Sequence, residues 1–314
     1  MNRVHRSVRL TSSHHYGAEV PPEPLGYALL FLGLMYRKAV RMAFAGRSTL
    51  KGRRPEWLAA ACDVRFLELT GRDETTAHFE APRLGDAAEE LYRQKGLWPT
   101  RPPAEYTGFE LLAGTLGDVA SENSDSENYD EAVLRVIVQS HLLKRGFKEL
   151  RLEELCFQPR TPPVYAAATV ESAKRLRKAI PPPRRVSVAG KLDMIRDSTQ
   201  SFALQLDDGA QVGGAVLSGD MSPLPALFRK RVVVHGAAIY RPSGRLLRLD
   251  AERIEDGQGA PSFWSNVPGP LVGRQDLRQP ARAEPQKSGV AAFFGQLPRD
   301  ESDEEVFEAL KELS

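Results

Sequence analysis

The sequence has few of the residues and segments that most often reveal a compartment or a disulfide scaffold. Only two of its 314 residues are cysteines, Cys62 and Cys156, which are too few for a disulfide framework or a cysteine-based metal site. Its longest apolar run, at 25–36, is about half the ~20 residues that a membrane-spanning helix requires. The first residues contain no apolar signal core. We therefore expect a cytoplasmic protein that makes no contact with a membrane.

A strong excess of either charge is also missing. The chain has 43 lysines and arginines against 41 aspartates and glutamates, a formal net charge of +2. Any nucleic-acid site must therefore be a local basic patch, because the whole molecule does not attract phosphate. The hydrophobic content of 41% and the charged content of 27% are typical of a folded globular protein, and the length favours two domains.

Motifs of known enzyme families are absent as well. The sequence contains no Walker A motif, no GxGxxG, no GxSxG, no HExxH and no CxxC pair. We predict a protein that is not an enzyme, with no catalytic residues, no cofactor and no metal ion. An enzyme whose site is assembled from separate residues such as Asp63, His78 and Glu80 stays open as an alternative.

Residues 1–157 mix helical and strand patterns, which predicts an N-terminal α+β domain. The basic loop at 47–54 is interpreted either as a phosphate-contacting loop or as an exposed loop. The predicted helices lie at 25–38, 84–95, 108–120 and 131–144, and the predicted strands at 4–10, 40–45, 64–69 and 75–79. Residues 158–182 are predicted to be a proline-rich linker that carries a basic helix with Lys174, Arg175, Arg177 and Lys178.

Residues 183–257 predict a small β-barrel. Apolar residues alternate with polar ones at 186–194 and 202–206, where Phe202 belongs to the core, and the Asp208-Gly209 pair predicts a tight turn. The Gly213-Gly214 pair predicts a bulge or a sharp bend, which a small closed barrel needs. The order of these elements, β-β-β-α-β-β, resembles the OB-fold, a five-stranded barrel that binds single-stranded nucleic acids and oligosaccharides. An SH3-like barrel is the competing interpretation.

The resemblance to the OB-fold implies a surface for single-stranded DNA or RNA. Residues 183–255 hold eleven lysines and arginines against eight aspartates and glutamates, a local excess of three positive charges. Tyr240, next to Arg241, is the aromatic residue that we expect to stack on a base. The predicted nucleic-acid-binding residues are Lys191, Arg196, Arg229, Lys230, Arg231, Tyr240, Arg241, Arg245 and Arg248. A barrel that contacts a protein, or that is purely structural, stays open.

The last part of the chain predicts a linker and a tail. Residues 258–288 are rich in glycine, proline, glutamine and arginine and predict a disordered linker, although it contains an unexpected aromatic pair, Phe263-Trp264. Residues 289–314 predict an acidic amphipathic tail helix. Its final 16 residues, 299–314, hold seven acidic and two basic side chains, and Ser302 with Glu305 forms a capping-box pattern.

The order of an aromatic-glycine segment, an acidic segment and an amphipathic helix resembles the C-terminal tails of bacterial antitoxins. The resemblance implies that the tail captures a protein partner. The predicted partner-binding residues are Phe293, Phe294, Val306, Phe307, Leu310 and Leu313. Docking of the tail on its own chain is the alternative. We thus predict a non-enzymatic binding or regulatory protein with no indication of its oligomeric state. The alternative function is single-stranded nucleic-acid binding by the barrel and the basic helix before it.

Overall fold

The structure is a computed structural model, and it describes residues 2–49, 54–93, 101–157, 159 and 163–271. These residues all belong to one compact unit, Met1–Arg274. The unit holds a five-stranded sheet with helices and a closed five-stranded barrel, so the predicted α+β class is confirmed. The predicted partner-binding residues of the tail lie outside the described residues: Phe293, Phe294, Val306, Phe307, Leu310 and Leu313.

The sheet is antiparallel throughout. Its strands are β1 (Arg3–Thr11), β2 (Arg65–Thr70), β3 (Thr75–Pro82), β4 (Glu149–Glu153) and β5 (Val164–Ala166), in the order β2-β3-β1-β4-β5. In β1, Val8 and Leu10 are buried in the core, whereas His5 and Arg9 on the opposite face are exposed. The alternation gives the sheet one face for the helices and one polar face.

The helices cover the apolar face of the sheet. They are α1 (Pro22–Ala45), α2 (Glu56–Ala61), α3 (Leu84–Ala87), α4 (Glu89–Arg93), α5 (Gly108–Ala120), α6 (Glu131–Gln139) and α7 (Ala167–Ala179), with a 3₁₀ turn at Leu142–Lys144. Within the described part of the chain, no helix combines the length and the apolarity that a membrane span needs. Two elements lie within segment 158–182, which the sequence predicts to be a linker. Strand β5 extends the sheet, and helix α7 packs on α5 and α6.

Two local predictions in this layer are wrong. The strand predicted at 40–45 is the end of α1, because Val40 and Phe44, one helical turn apart, are both buried in the core. The helix then stops at Gly46, whose φ of 63° closes a left-handed cap. The helix predicted at 84–95 is divided at Ala88, whose φ of −122° interrupts it.

The barrel follows the predicted order of elements. It consists of β6 (Arg184–Arg196), β7 (Ser201–Gln205), β8 (Gln211–Val216), the short helix α8 (Leu224–Leu227), β9 (Arg231–Tyr240) and β10 (Leu246–Asp256). The strands close in the order β10-β8-β7-β6-β9, with β8 and β10 parallel and the other neighbours antiparallel. The barrel is thus a mixed one.

Glycine in β8 serves packing rather than a bulge. The register between β7 and β8 is continuous through Gly213 and Gly214, so the predicted bulge is wrong. A Cβ on Gly214 would lie 2.2 Å from the ring of Phe202, which is fully buried. Gly214 therefore makes room for the Phe202 ring in the barrel core.

A buried network around Asp130 joins the helices to the barrel. Asp130 Oδ1 caps α6 by accepting from the Val133 N–H at 3.1 Å. Ser48, just beyond α1, donates to Asp130 from its backbone N–H at 3.0 Å and from its hydroxyl at 2.6 Å. Arg248 of β10 lies 3.5 Å from Asp130 and donates to the Gly46 carbonyl at 3.1 Å. Burial raises the pKa of Asp130, but Arg248 and these hydrogen bonds outweigh burial and hold the pKa below its ordinary 3.8.

Replacement of Asp130 by asparagine tests this network. An asparagine side chain is still able to cap α6, but the Asp130→Asn change removes one of the two carboxylates that face Arg248, while Asp250 remains at 2.7 Å. We expect the free energy of unfolding at pH 7 to fall by about 2 kcal/mol, because the buried hydrogen bonds from Ser48 lose their charged acceptor. Urea denaturation measures it. Asp73→Ala, at an exposed loop position, is the control and should change stability by less than about 0.5 kcal/mol.

The same variant has a defined pH dependence. Because the folded state lowers the pKa of Asp130, its charged form contributes stability above pH 3.8 that is lost as the pH falls through the lower folded pKa. The stability difference between the wild type and Asp130→Asn should therefore shrink as the pH is lowered from 7 to below 3.8. A difference that is constant over this range would contradict the assigned charge on Asp130.

Candidate nucleic-acid interface

A basic cleft lies between α6, α7 and the barrel. Its volume is about 690 Å³. One wall comes from α6 and α7, another from the proline segment 181–183, and the third from the end of β9 together with Arg248 of β10. We call this cavity the basic cleft. It is formed by residues far apart in the sequence, and the helix–barrel junction brings them together.

One face of α7 supplies three of the cations of the basic cleft. Lys174, Arg177 and Lys178 are three or four residues apart, so they lie on the same side of the helix. The opposite side buries Ala173 and Leu176 in the core of the helical layer. The apolar side therefore fixes the direction in which the basic side points. Lys174 pairs with nearby Glu171 within α7, and Lys178 is exposed with no ion pair among the described residues.

The facing helix, α6, contributes a carboxylate that holds two guanidinium groups. Glu131 Oε1 accepts from Arg135 Nη2 at 2.9 Å and lies 3.5 Å from Arg177 Nε. The lining of the basic cleft thus contains five cationic side chains, with Lys174, Lys178 and Arg248 as the others, against two carboxylates, Asp130 and Glu131. Two of these cations also pair with carboxylates outside the lining, Lys174 with Glu171 and Arg248 with Asp250, so the net positive charge at the cleft is small and Lys178 is its least compensated cation.

The remaining walls are apolar and rigid. Pro181, Pro182 and Pro183 form an extended segment with restricted backbone freedom, and Ile239 adds an aliphatic side chain. Tyr240 is only 2% exposed, because its ring belongs to the barrel core, and its hydroxyl donates to the Pro268 carbonyl at 2.7 Å. Burial raises the pKa of Tyr240. It forms the floor of the basic cleft rather than a free ring.

The nine predicted nucleic-acid-binding residues fall in separate places. Only Tyr240 and Arg248 line the basic cleft. Arg241 and Arg245 lie on the β9–β10 hairpin and contact the acidic loop at 121–130. Arg241 Nη2 donates to Glu127 at 2.6 Å, and Arg245 lies 3.5 Å from Asp125. These arginines therefore hold the barrel on the helical layer.

The other five predicted residues lie elsewhere on the barrel. Arg196 is 5% exposed, and burial together with the nearby charge of Arg101 lowers its pKa. Arg231 donates to both carboxylate oxygens of Asp207, at 2.6 and 3.0 Å. At the same end of β9, Lys191, Arg229 and Lys230 are exposed. They form a second basic area at the end of β9 opposite Tyr240.

The helical half of the basic cleft is not among the nine predicted residues, although the basic helix before the barrel belongs to the predicted alternative function. For Lys174, Arg177 and Lys178 the signal was present, because their spacing already predicts one basic helix face next to the barrel. Arg135 and Glu131 gave no such signal, since a charged pair four residues apart is usual on any exposed helix. Their role depends on which helices become neighbours.

Two residues of the alternative enzyme site, Asp63 and His78, have other side-chain partners. Asp63 binds Arg3. His78 stacks on His5 with the ring centroids 5.1 Å apart, and His5 Nδ1 lies 3.0 Å from Glu154 on the exposed face of the sheet. Over residues 2–49, 54–93, 101–157, 159 and 163–271, no group of three or more histidine, cysteine or acidic side chains is arranged to hold a metal ion.

No known protein family, curated protein or solved structure matches this chain. The chemistry of the basic cleft is therefore the basis for inferring a function.

Proposed function

We propose that the protein binds single-stranded nucleic acid and holds the phosphate backbone in the basic cleft. The observation that carries the proposal is the grouping of four solvent-accessible cationic side chains, Arg135, Lys174, Arg177 and Lys178, around one cavity of about 690 Å³. Lysines and arginines that neutralise phosphates supply most of the affinity of sequence-independent binding. Arg135 and Arg177, both held by Glu131, present guanidinium groups that suit the paired oxygens of a phosphate. A cavity of this size is on the scale of a small bound molecule, so it favours a single strand over a duplex.

The barrel resembles the OB-fold in the position of its helix, between the third and fourth strands, but its surroundings differ from those of an OB-fold that binds nucleic acid with its loops. OB-folds bind ligands with the second and third strands and with the loops after the first and fourth strands. Here both loops contact the helical layer. In the first loop, Trp57 Nε1 donates to the Ser198 carbonyl at 2.9 Å and Arg47 donates to Gln200 at 2.9 Å. We therefore place the ligand in the basic cleft instead. The contacts of Arg47 also show that the start of the 47–54 loop is buried.

Charge reversal on α7 tests the basic cleft. Arg177→Glu together with Lys178→Glu should weaken binding of a fluorescent single-stranded oligonucleotide at least tenfold, because two phosphate contacts become repulsive. The slope of log Kd against log salt concentration should become smaller by the contribution of about two phosphate contacts. Fluorescence anisotropy at several salt concentrations measures both quantities.

The barrel offers a matched control for this experiment. Arg229→Glu with Lys230→Glu makes the same change in net charge at exposed positions on the other basic area. We expect this pair to change the affinity less than about threefold, the residual effect of net charge alone. If the barrel pair instead abolishes binding and the α7 pair does not, the ligand binds the predicted barrel surface, and the assignment of the basic cleft as the binding site is wrong.

We also propose that the tail captures a protein partner in the cytoplasm. The support comes from the sequence, where Val306, Phe307, Leu310 and Leu313 have helical spacing within an acidic segment. The two unpaired cysteines, Cys62 and Cys156, are in keeping with a reducing compartment.

Substitution in the tail tests partner capture. Phe307→Ala with Leu310→Ala should remove from a pulldown with the full-length protein a partner that the wild type retains, because the apolar stripe is lost. Arg299→Ala with Lys311→Ala changes the same segment without touching the stripe and should leave the partner bound. Equal capture by all three proteins would contradict this role of the tail.

A further inference from the structure

An aromatic pair beyond β10 combines a partly buried ring with an exposed one. Phe263 and Trp264 lie in a 3₁₀ turn, Ser262–Ser265. Trp264 packs edge-on against His235 of β9 with the ring centroids 6.0 Å apart. Phe263 lies edge-on to Trp264, with centroids 5.8 Å apart, and is 71% exposed. Exposure of a phenylalanine to this extent beside a docked tryptophan requires an explanation.

The turn is fixed to the barrel by polar contacts. Ser265 is buried, donates to Asp207 and accepts from Arg231 Nη2 at 2.8 Å. The N–H of Gly257, before the turn, donates to the Arg231 carbonyl at 2.9 Å. The exposed ring of Phe263 is therefore held in place before any ligand arrives, which lowers the entropy that binding would cost.

The His235 side chain, on which Trp264 packs, is fixed in turn. Its Nδ1 lies 2.8 Å from the Ser187 hydroxyl, and its Nε2 lies 2.9 Å from Glu255 Oε1. The three residues come from the neighbouring strands β6, β9 and β10. Both ring nitrogens of His235 are thus occupied, so its role here is to support the aromatic pair.

The aromatic pair and the basic cleft share the same outer face of β9. Val234 and Ala238 point into the barrel core, so His235 and Ile239 point outwards. Ile239 lines the basic cleft. His235 is four residues away, a distance of about 13 Å along a strand. This distance corresponds to about four nucleotides at the rise of a stacked strand.

A cationic side chain lies between the aromatic pair and the basic cleft. Arg185 of β6 pairs in register with Ala237, midway between His235 and Ile239. Val186 next to it points inwards, so Arg185 points outwards, and its side chain is 87% exposed. Its nearest acidic partner is Glu252, at 3.6 Å, an exposed pair that contributes little energy and leaves the guanidinium available.

We propose that Phe263 stacks on a base of the nucleic-acid strand whose phosphates occupy the basic cleft, with Arg185 contacting a phosphate between them. The inference rests on the proposed function and adds to it a contact that requires bases. Arg253 of β10 lies in register with His235 and is exposed, and its guanidinium group pairs with Glu255 at 2.9 Å. A base offers a flat face to the Phe263 ring, and its strand carries a phosphate for Arg185, whose exposed pair with Glu252 is weak.

Two oligonucleotides of the same length, one with all its bases and one abasic throughout, separate stacking from charge. Phe263→Ala should weaken binding of the base-containing strand about tenfold and leave binding of the abasic strand unchanged. The salt dependence should be the same as in the wild type, because no phosphate contact is removed. Phe263→Tyr should restore the affinity. Leu271→Ala, which removes another exposed apolar side chain, should have no effect.

The outcomes distinguish this contact from the proposed function. If Phe263→Ala has no effect, or weakens both strands equally, while the α7 charge reversal abolishes binding, Phe263 does not stack and the basic cleft stands. If the wild type binds neither strand, both proposals are overturned. Arg185→Ala should weaken binding of both strands and lower the slope of log Kd against log salt concentration by the contribution of about one phosphate contact. An unchanged slope would show that Arg185 does not contact a phosphate.

Discussion

The buried carboxylate of Asp130 is the interaction on which the arrangement of helices and barrel depends. It caps α6, accepts two hydrogen bonds from Ser48 after α1, and faces Arg248 of the barrel. A buried carboxylate is costly unless every oxygen has a partner, so the three elements have to meet at this point. Glu131, the next residue, begins the wall of the basic cleft. The position of the cleft therefore follows from the same contact that joins the two parts of the fold.

The junction also decides which charges of the barrel remain available to a ligand. A phosphate that approached Arg241 would have to displace Glu127, and at Arg248 it would have to displace two aspartates. The guanidinium groups of Arg241 and Arg248 are mostly buried at the junction as well as paired, so a phosphate gains little there. On α7, Lys178 has no such competitor within the described residues. Binding is therefore favoured where the helical layer, and not the barrel alone, presents its cations.

The sequence predicted the barrel well because its signals are local. Alternating apolar residues, the Asp208-Gly209 turn and the core position of Phe202 all follow from neighbours in the chain. The bulge predicted at Gly213-Gly214 was wrong, because position 214 requires glycine to make room for the Phe202 ring of another strand. The ion pairs at the junction were unpredictable for the same reason. Arg241 and Glu127 are 114 residues apart, and Arg248 and Asp130 are 118 apart, so only the fold reveals that these cations are engaged.

Glu131 gives the basic cleft a property that an all-cationic site would lack. Arg135 and Arg177 come from different helices and would repel each other across the cavity. The single carboxylate between them offsets this repulsion and holds both guanidinium groups near the opening in the absence of a ligand. A phosphate would then share or replace Glu131 as their partner, so the gain per contact is moderate and depends on salt. Such a site suits a backbone that is bound and released, and it leaves any preference for bases to contacts outside the cleft.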